Sequence, residues 1–255
     1  MSTSHAAAAA RFIENMERTS WHNQALWFVR QKRDRVSKQL PEWEELRQLA
    51  HDIKRYNVTH LDSLLERFEA KAQANGVTVH WAVDAEEHNR IVHGLLEQHG
   101  VKSLVKSKSM LSEECELNAY LMARGIDVIE SDLGERILQL MHQRPSHIVM
   151  PAIHIKREEV AELFAREMGT DPGNSDPTYL THAARANLRR HFLEADAAMT
   201  GGNFAIAETG EVVVCTNEGN ADMGMACQKL NICSFGIEKV IESLDQLAVF
   251  QRLLA

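Results

Sequence analysis

Several stretches of this chain hold side chains suited to gripping or transforming a small anion. Lys106-Ser107-Lys108-Ser109 follows a short apolar run and leads into a candidate helix. Two ammonium groups beside the free N–H groups of a helix start favour a carboxylate or phosphate. Solvated lysines ahead of a capped helix are the plainer alternative. Asp132, in Ser-Asp-Leu-Gly-Glu, is either a ligand contact or the N-cap of the next helix. His154, in Pro-Ala-Ile-His, is a binding candidate or a structural histidine. The richest stretch is 200–220, TGGNFAIAETGEVVVCTNEGN. Glu208-Thr209-Gly210 ends one apolar run at a turn, and Asn217-Glu218-Gly219-Asn220 follows the next. If the turn closes a hairpin, these two clusters sit at opposite ends of its second strand. Neighbouring loops must then bring them together.

Other chemistries lack their signatures. There is no G-x-x-x-x-G-K-[ST] and no G-x-G-x-x-G, so neither type of nucleotide loop is expected. Cys215, Cys227 and Cys233 are spaced 12 and 6 apart, with no C-x-x-C pair, and Cys115 lies on an apolar helix face. The 13 histidines include no H-x-x-x-H pair. No metal site is therefore expected. Arg185 and Arg189 share a helix face and suit a bidentate grip on an anion, or form a solvated basic face.

Composition narrows the partners. The chain has 255 residues and a net charge of −8, against the clustered basic surface that nucleic acid demands. No apolar stretch reaches the ~18 residues of a membrane helix, and no basic segment precedes the N-terminal alanines. A reducing, cytoplasmic setting is expected.

The elements that must position these residues read as α/β. Residues 1–57 look like a helical extension carrying Trp21, Trp27 and Trp43; residues 58–255 form the main domain. Exposed, those tryptophans would mark a contact surface for an assembly module. After a helix at 59–75, strands are expected at 77–83, 101–106, 126–130 and 146–150, each followed by a helix. That rhythm implies a mostly parallel sheet with helices on both faces. The run 109–125 reads as one helix and 237–255 as a closing helix. Short strand-like runs at 197–202, 203–208, 211–217 and 230–235 fall between, with an antiparallel hairpin near 203–216.

Taken together, KSKSM (106–110), ESDLGE (130–135), PSHIVMPAIH (145–154), GGNFAIAETGEVV (201–213), TNEGNADM (216–223) and GIEKV (236–240) resemble the LUD domain, as found in the N-terminal part of the lactate utilization protein B family. The resemblance covers about residues 10–245. It implies a fold of the NagB/RpiA/CoA-transferase group and a role in oxidising L-lactate to pyruvate with two partner subunits. In that family a ferredoxin-like region follows, whose C-x₂-C-x₂-C-x₃-C-P motifs hold two [4Fe–4S] clusters. The sequence stops at Ala255, so clusters are expected only in full-length members and no cofactor in this chain. Where the family has Leu-Pro-Lys-x-His after the NEGN loop, this chain keeps Lys229 without the proline or histidine. TGGNF and AETG also resemble the G-x-G-G-F and S-E-N-G elements of class I CoA-transferases. That likeness implies Glu208 as a carboxylate nucleophile. The readings carried forward are a lactate-utilization component binding a small carboxylate or phosphate-bearing ligand or its partner subunits, a transferase, and an assembly module. A homo-oligomer stays open.

Overall fold

The computed structural model describes residues 5–254. The first four residues of the N-terminal segment and Ala255, at the end of the expected closing helix, lie outside them. The chain divides into two units, Met1–His51 with Val249–Ala255, and Asp52–Ala248.

The first unit is helical, as its alanine-rich, charge-rich sequence dictates. It contains α1 (His5–Glu14), α2 (Met16–Ser37) and the start of α3 (Trp43–Thr59). Asn15 starts α2 by accepting the Arg18 N–H at 3.0 Å. No residue of α2 is buried, and Trp27 is 54% exposed. Arg252 pairs with Glu42 within this unit.

The second unit is built on a parallel sheet. After α4 (Leu61–Ala74) and α5 (Ala85–Gln98) come β1 (Ser103–Lys106), α6 (Met110–Glu114), α7 (Leu117–Met122) and β2 (Asp127–Glu130). Then follow α8 (Leu133–Met141), α9 (Arg157–Met168), α10 (Pro177–Glu194) and β3 (Ala197–Gly201). β4 (Phe204–Ile206), β5 (Glu211–Val213), α11 (Asn220–Cys227), β6 (Leu230–Ser234), β7 (Val240–Ile241) and α12 (Leu244–Leu253) complete the chain. The main sheet runs β2-β1-β3-β6, all parallel. Side chains alternate between its faces. Leu104, Val128, Met199 and Ile232 pack with α5 and α7 residues on one face. Val105, Ile129 and Ala198 pack with Leu188 and Phe192 of α10 on the other. Helices thus cover both faces, as expected.

A second sheet, β5-β4-β7, stands apart. Phe204↔Val213 and Ile206↔Glu211 are antiparallel partners, which is the expected hairpin. Its Ala205 and Ala207 pack with Leu64, Phe68 and Ala72 of α4. Gly210 closes the turn at φ +75°, and a Cβ there would lie 2.3 Å from the Ala72 nitrogen. Only glycine fits that approach.

Four expectations fail locally. Residues 77–83 form no strand: the Val77 N–H goes to the Ala72 carbonyl and the Val83 N–H to Glu87, so both ends are tied to flanking helices. Residues 146–150 form bends instead, between two prolines that cannot donate to a ladder. There His147 Nδ1 takes the N–H groups of Val149 and Met150. The single helix at 109–125 is two, broken where Glu116 turns left-handed (φ 52°). The closing helix starts only at Leu244, because the buried, β-branched Val240 and Ile241 pair with Ala205 and Ile206.

Candidate functional site

The strand order places a ligand crevice. From β1 the chain goes to β2 on one side and then returns to β3 on the other, a topological switch at β1. Ligands in open α/β sheets bind beyond the carboxyl strand ends at such a switch. Between β1 and β3 the space is closed by polar packing. The Ser107 hydroxyl donates to Thr200 Oγ1 at 2.8 Å, the Ser107 N–H goes to the Met199 carbonyl, and Gly201 faces Ser109.

Lys106 and Glu130 end these two strands and are partners in the sheet register. Lys106 is fully buried, and its Nζ stands 2.8 Å from Glu130 Oε1, held by charge rather than by a well-directed hydrogen bond. Asn118 of α7 donates to the same oxygen at 2.5 Å. Glu130 Oε2 is buried without a hydrogen bond. Two residues along, Lys108 Nζ lies 2.8 Å from Glu135 Oε1 and donates to the Val149 carbonyl at 3.3 Å. The Lys108 side chain keeps 23% of its surface exposed, so it is the cation that solvent reaches.

The polar loop 216–220 closes over this corner. Asp132 Oδ2 accepts the Lys108 backbone N–H and the Asn220 side-chain amide, both at 2.7 Å. Asn220 also donates to Ser131 Oγ at 3.1 Å. Glu218 is an exposed residue whose carboxyl end turns inward to accept the Leu133 N–H at 3.3 Å. Ser131, in turn, bonds the Lys106 carbonyl through both N–H and hydroxyl. Lys106, Lys108, Asp132, Glu218 and Asn220, proposed from widely separated stretches, therefore converge. Asn217 sits exposed in the same loop.

Burial weighs on the carboxyl groups of this corner. Burial pushes the Glu135 carboxyl up despite the Lys108 ammonium beside it. Burial, with the Asp132 charge second, raises Glu218. Glu113, facing Lys106, Lys108, Glu130 and Glu135, is raised by burial too. Five carboxylates surround two lysines, so an entering anion is repelled unless some of these acids are protonated.

The other candidates lie elsewhere. Glu208 is exposed at the β4–β5 turn, its N–H bonded to the Glu242 carbonyl. The Thr209 carbonyl accepts from Asn75, and Gly210 presses on α4. No hydrogen bond or ion pair described for these three residues reaches the lysine corner. His154 bonds within the 143–155 loop, to Ser146 Oγ at 2.6 Å and Gln143 Oε1 at 3.0 Å. That loop adjoins the corner through Val149, and through Pro151 against Gly134. Arg185 and Arg189 are exposed on α10. Glu130, Glu135, Glu113 and Asn118 were not foreseen. The available signal was a carboxylate ending an apolar strand, in Ile-Asp-Val-Ile-Glu.

The donor set does not fit an iron–sulfur cluster. Cys215, Cys227 and Cys233 are exposed and Cys115 is half-buried, and the sequence holds no C-x-x-C pair of the kind cluster sites use. No three metal-binding side chains gather among the described residues. Nor, among those residues, is any helix long and apolar enough to cross a membrane.

The second unit is an α/β domain with a switched parallel sheet whose strand ends carry a polar, glycine-bearing loop. The chain belongs to the LUD domain family, whose model matches residues 65–255. It is 40% identical over 225 residues to lactate utilization protein B of Bacillus pumilus, covering 88% of this chain and 47% of that protein. It is 41% identical over 220 residues to lactate utilization protein B of Geobacillus thermodenitrificans, covering 86% and 46%. The chain thus spans about half the length of these relatives. No solved structure matches it.

Proposed function

We propose that this chain is the LUD domain, residues 58–255 with a helical extension at 1–57, of a component that oxidises L-lactate to pyruvate in an electron-transfer complex. Its part is to bind the small carboxylate. The observation carrying this reading is Lys108, a partly exposed ammonium at the carboxyl end of β1, ringed by Asp132, Glu135, Glu218 and Asn220. The substrate carboxylate takes Lys108 from Glu135, and Glu218 or Asn220 takes the hydroxyl. The C2–H and O–H bonds break, two protons pass to solvent and basic groups of the complex, and the two electrons leave to an acceptor outside this chain, on partner subunits or on the cluster-bearing region that the family resemblance implies.

Calorimetric titration with L-lactate, pyruvate and phosphate tests this. Saturable binding that Lys108→Met weakens at least about tenfold, on the scale of one charge-assisted contact, is expected. Binding that ignores the substitution, or no binding up to tens of millimolar, overturns it.

The exposed carboxylate of Glu208 supports a second reading, a CoA-transferase-like step. A hydroxylamine-sensitive acyl–CoA thioester at Glu208 would establish that reading. An unreactive Glu208 ends it.

A further inference from the structure

A second constellation lies in a cleft of about 1550 Å³ between α5, the 77–83 segment and β6. His88 of α5 bonds two side chains, Asn89 Oδ1 at 3.0 Å through Nδ1 and Ser234 Oγ at 3.0 Å through Nε2. Hydrogen-bonding capacity fixes the direction of the chain. Asn89 Nδ2 donates to the Cys115 carbonyl at 2.6 Å, and a carbonyl only accepts. The amide is thereby oriented, and its Oδ1 can only accept from His88. In neutral imidazole the proton then sits on Nδ1, leaving Nε2 bare. The Ser234 hydroxyl must donate to Nε2. The carbonyl that fixes this chain is freed by the break between α6 and α7.

From this relay we infer that Ser234 is a nucleophile, with His88 its general base and Asn89 the residue that holds the histidine. The serine stands at the carboxyl end of β6, where α/β sheets place their ligands. His88, Ser234 and Cys115 all line the cleft, whose walls are mainly apolar: Trp81, Ile91, Leu95, Val212, Leu230 and Phe235 among them. Its chemistry suits an ester with an apolar acyl chain.

The step balances as acyl transfer. Ser234 Oγ bonds to the ester carbonyl carbon while its proton passes to His88 Nε2. The carbon–oxygen bond to the alcohol breaks, and His88 returns the proton to the leaving alkoxide. Water then gives a proton to His88 as its oxygen bonds to the acyl carbon, the bond from that carbon to Ser234 Oγ breaks, and His88 returns the proton to Oγ, releasing the acid. Phe235 and Gly236 follow the serine along the same cleft.

The test treats the 255-residue chain with an alkyl fluorophosphonate and maps any adduct by mass spectrometry, with p-nitrophenyl butyrate and octanoate as turnover probes. The inference expects an adduct on Ser234 and an early burst of nitrophenol, faster with octanoate. Ser234→Ala abolishes both, and His88→Gln slows labelling by at least about a hundredfold. Circular dichroism confirms that the variants fold. Wild-type chain that stays unlabelled at Ser234, or labelling indifferent to His88→Gln in a folded variant, overturns the assignment. Because the first of these needs no variant, a folding defect cannot shield it.

Discussion

Lys106 and Glu130 are register partners at the ends of β1 and β2, and their side chains form an ion pair at 2.8 Å with almost no exposure to solvent. A cross-strand pair thus becomes the buried floor beneath Lys108. Removing one partner strands the other charge in the interior. Lys106→Met or Glu130→Leu alone should therefore cost about 3–5 kcal/mol, read by denaturant unfolding. The double substitution should recover most of that loss, because matched apolar groups replace a buried pair with little penalty. Additive losses would show that the two charges are not coupled.

Anion binding at Lys108 should take up protons. Glu135 is already raised by burial, and its Lys108 partner is the main influence holding it down. A substrate carboxylate that takes Lys108 removes that influence, so Glu135 rises further and binds a proton. Affinity should accordingly strengthen as pH falls from neutrality. Calorimetry in two buffers of different ionisation enthalpy measures the uptake directly, and its sign must be positive.

Asp196 is tuned the opposite way at the far end of the sheet. Its carboxylate accepts the Lys102 and Ser103 N–H groups at 2.8 and 2.9 Å and the Ser103 hydroxyl at 3.1 Å, and these bonds lower its pKa. A depressed carboxylate stabilises the fold above its unfolded pKa, and that contribution is lost as pH falls through the folded value. Since the residue is exposed, Asp196→Asn should cost only about 1 kcal/mol at neutral pH. The wild-type and variant melting curves should converge in acid.

The family match rests on 65–255, and the tests of Lys108 need no more than this chain. Removing residues 1–55, by contrast, probes the extension. The assembly reading expects a change in oligomeric state by light scattering, because Trp27 and Phe28 stand exposed on α2. An unchanged state would count against it.

What the sequence made legible was local. The strands ending in Lys106 and Glu130 and the 204–213 hairpin follow from runs and turn residues that act where they stand. Sheet membership does not. Val83 and Val149 have strand-forming side chains yet are 89% and 74% exposed, because neither segment finds a ladder. Their places in the parallel sheet go to 197–201 and 230–234, whose runs looked no stronger. Strand propensity reports a fit to a half-buried surface, and the partner that supplies it is distant in sequence. The site divides similarly. The clusters at 106–108, 132 and 216–220 stood out by residue type, but Glu130 and Glu135 acquire meaning only from the lysines set beside them. Ser234 and His88 lie 146 residues apart, and nothing in either neighbourhood signals the other.

The most direct test of the central claim is amide chemical-shift mapping of the labelled chain during titration with L-lactate. The account predicts saturable shifts at Lys108, Asp132 and Glu218–Asn220, with the Glu208 turn and the Ser234 cleft left quiet. Shifts centred on that cleft or on Glu208, or none up to tens of millimolar lactate, would contradict it.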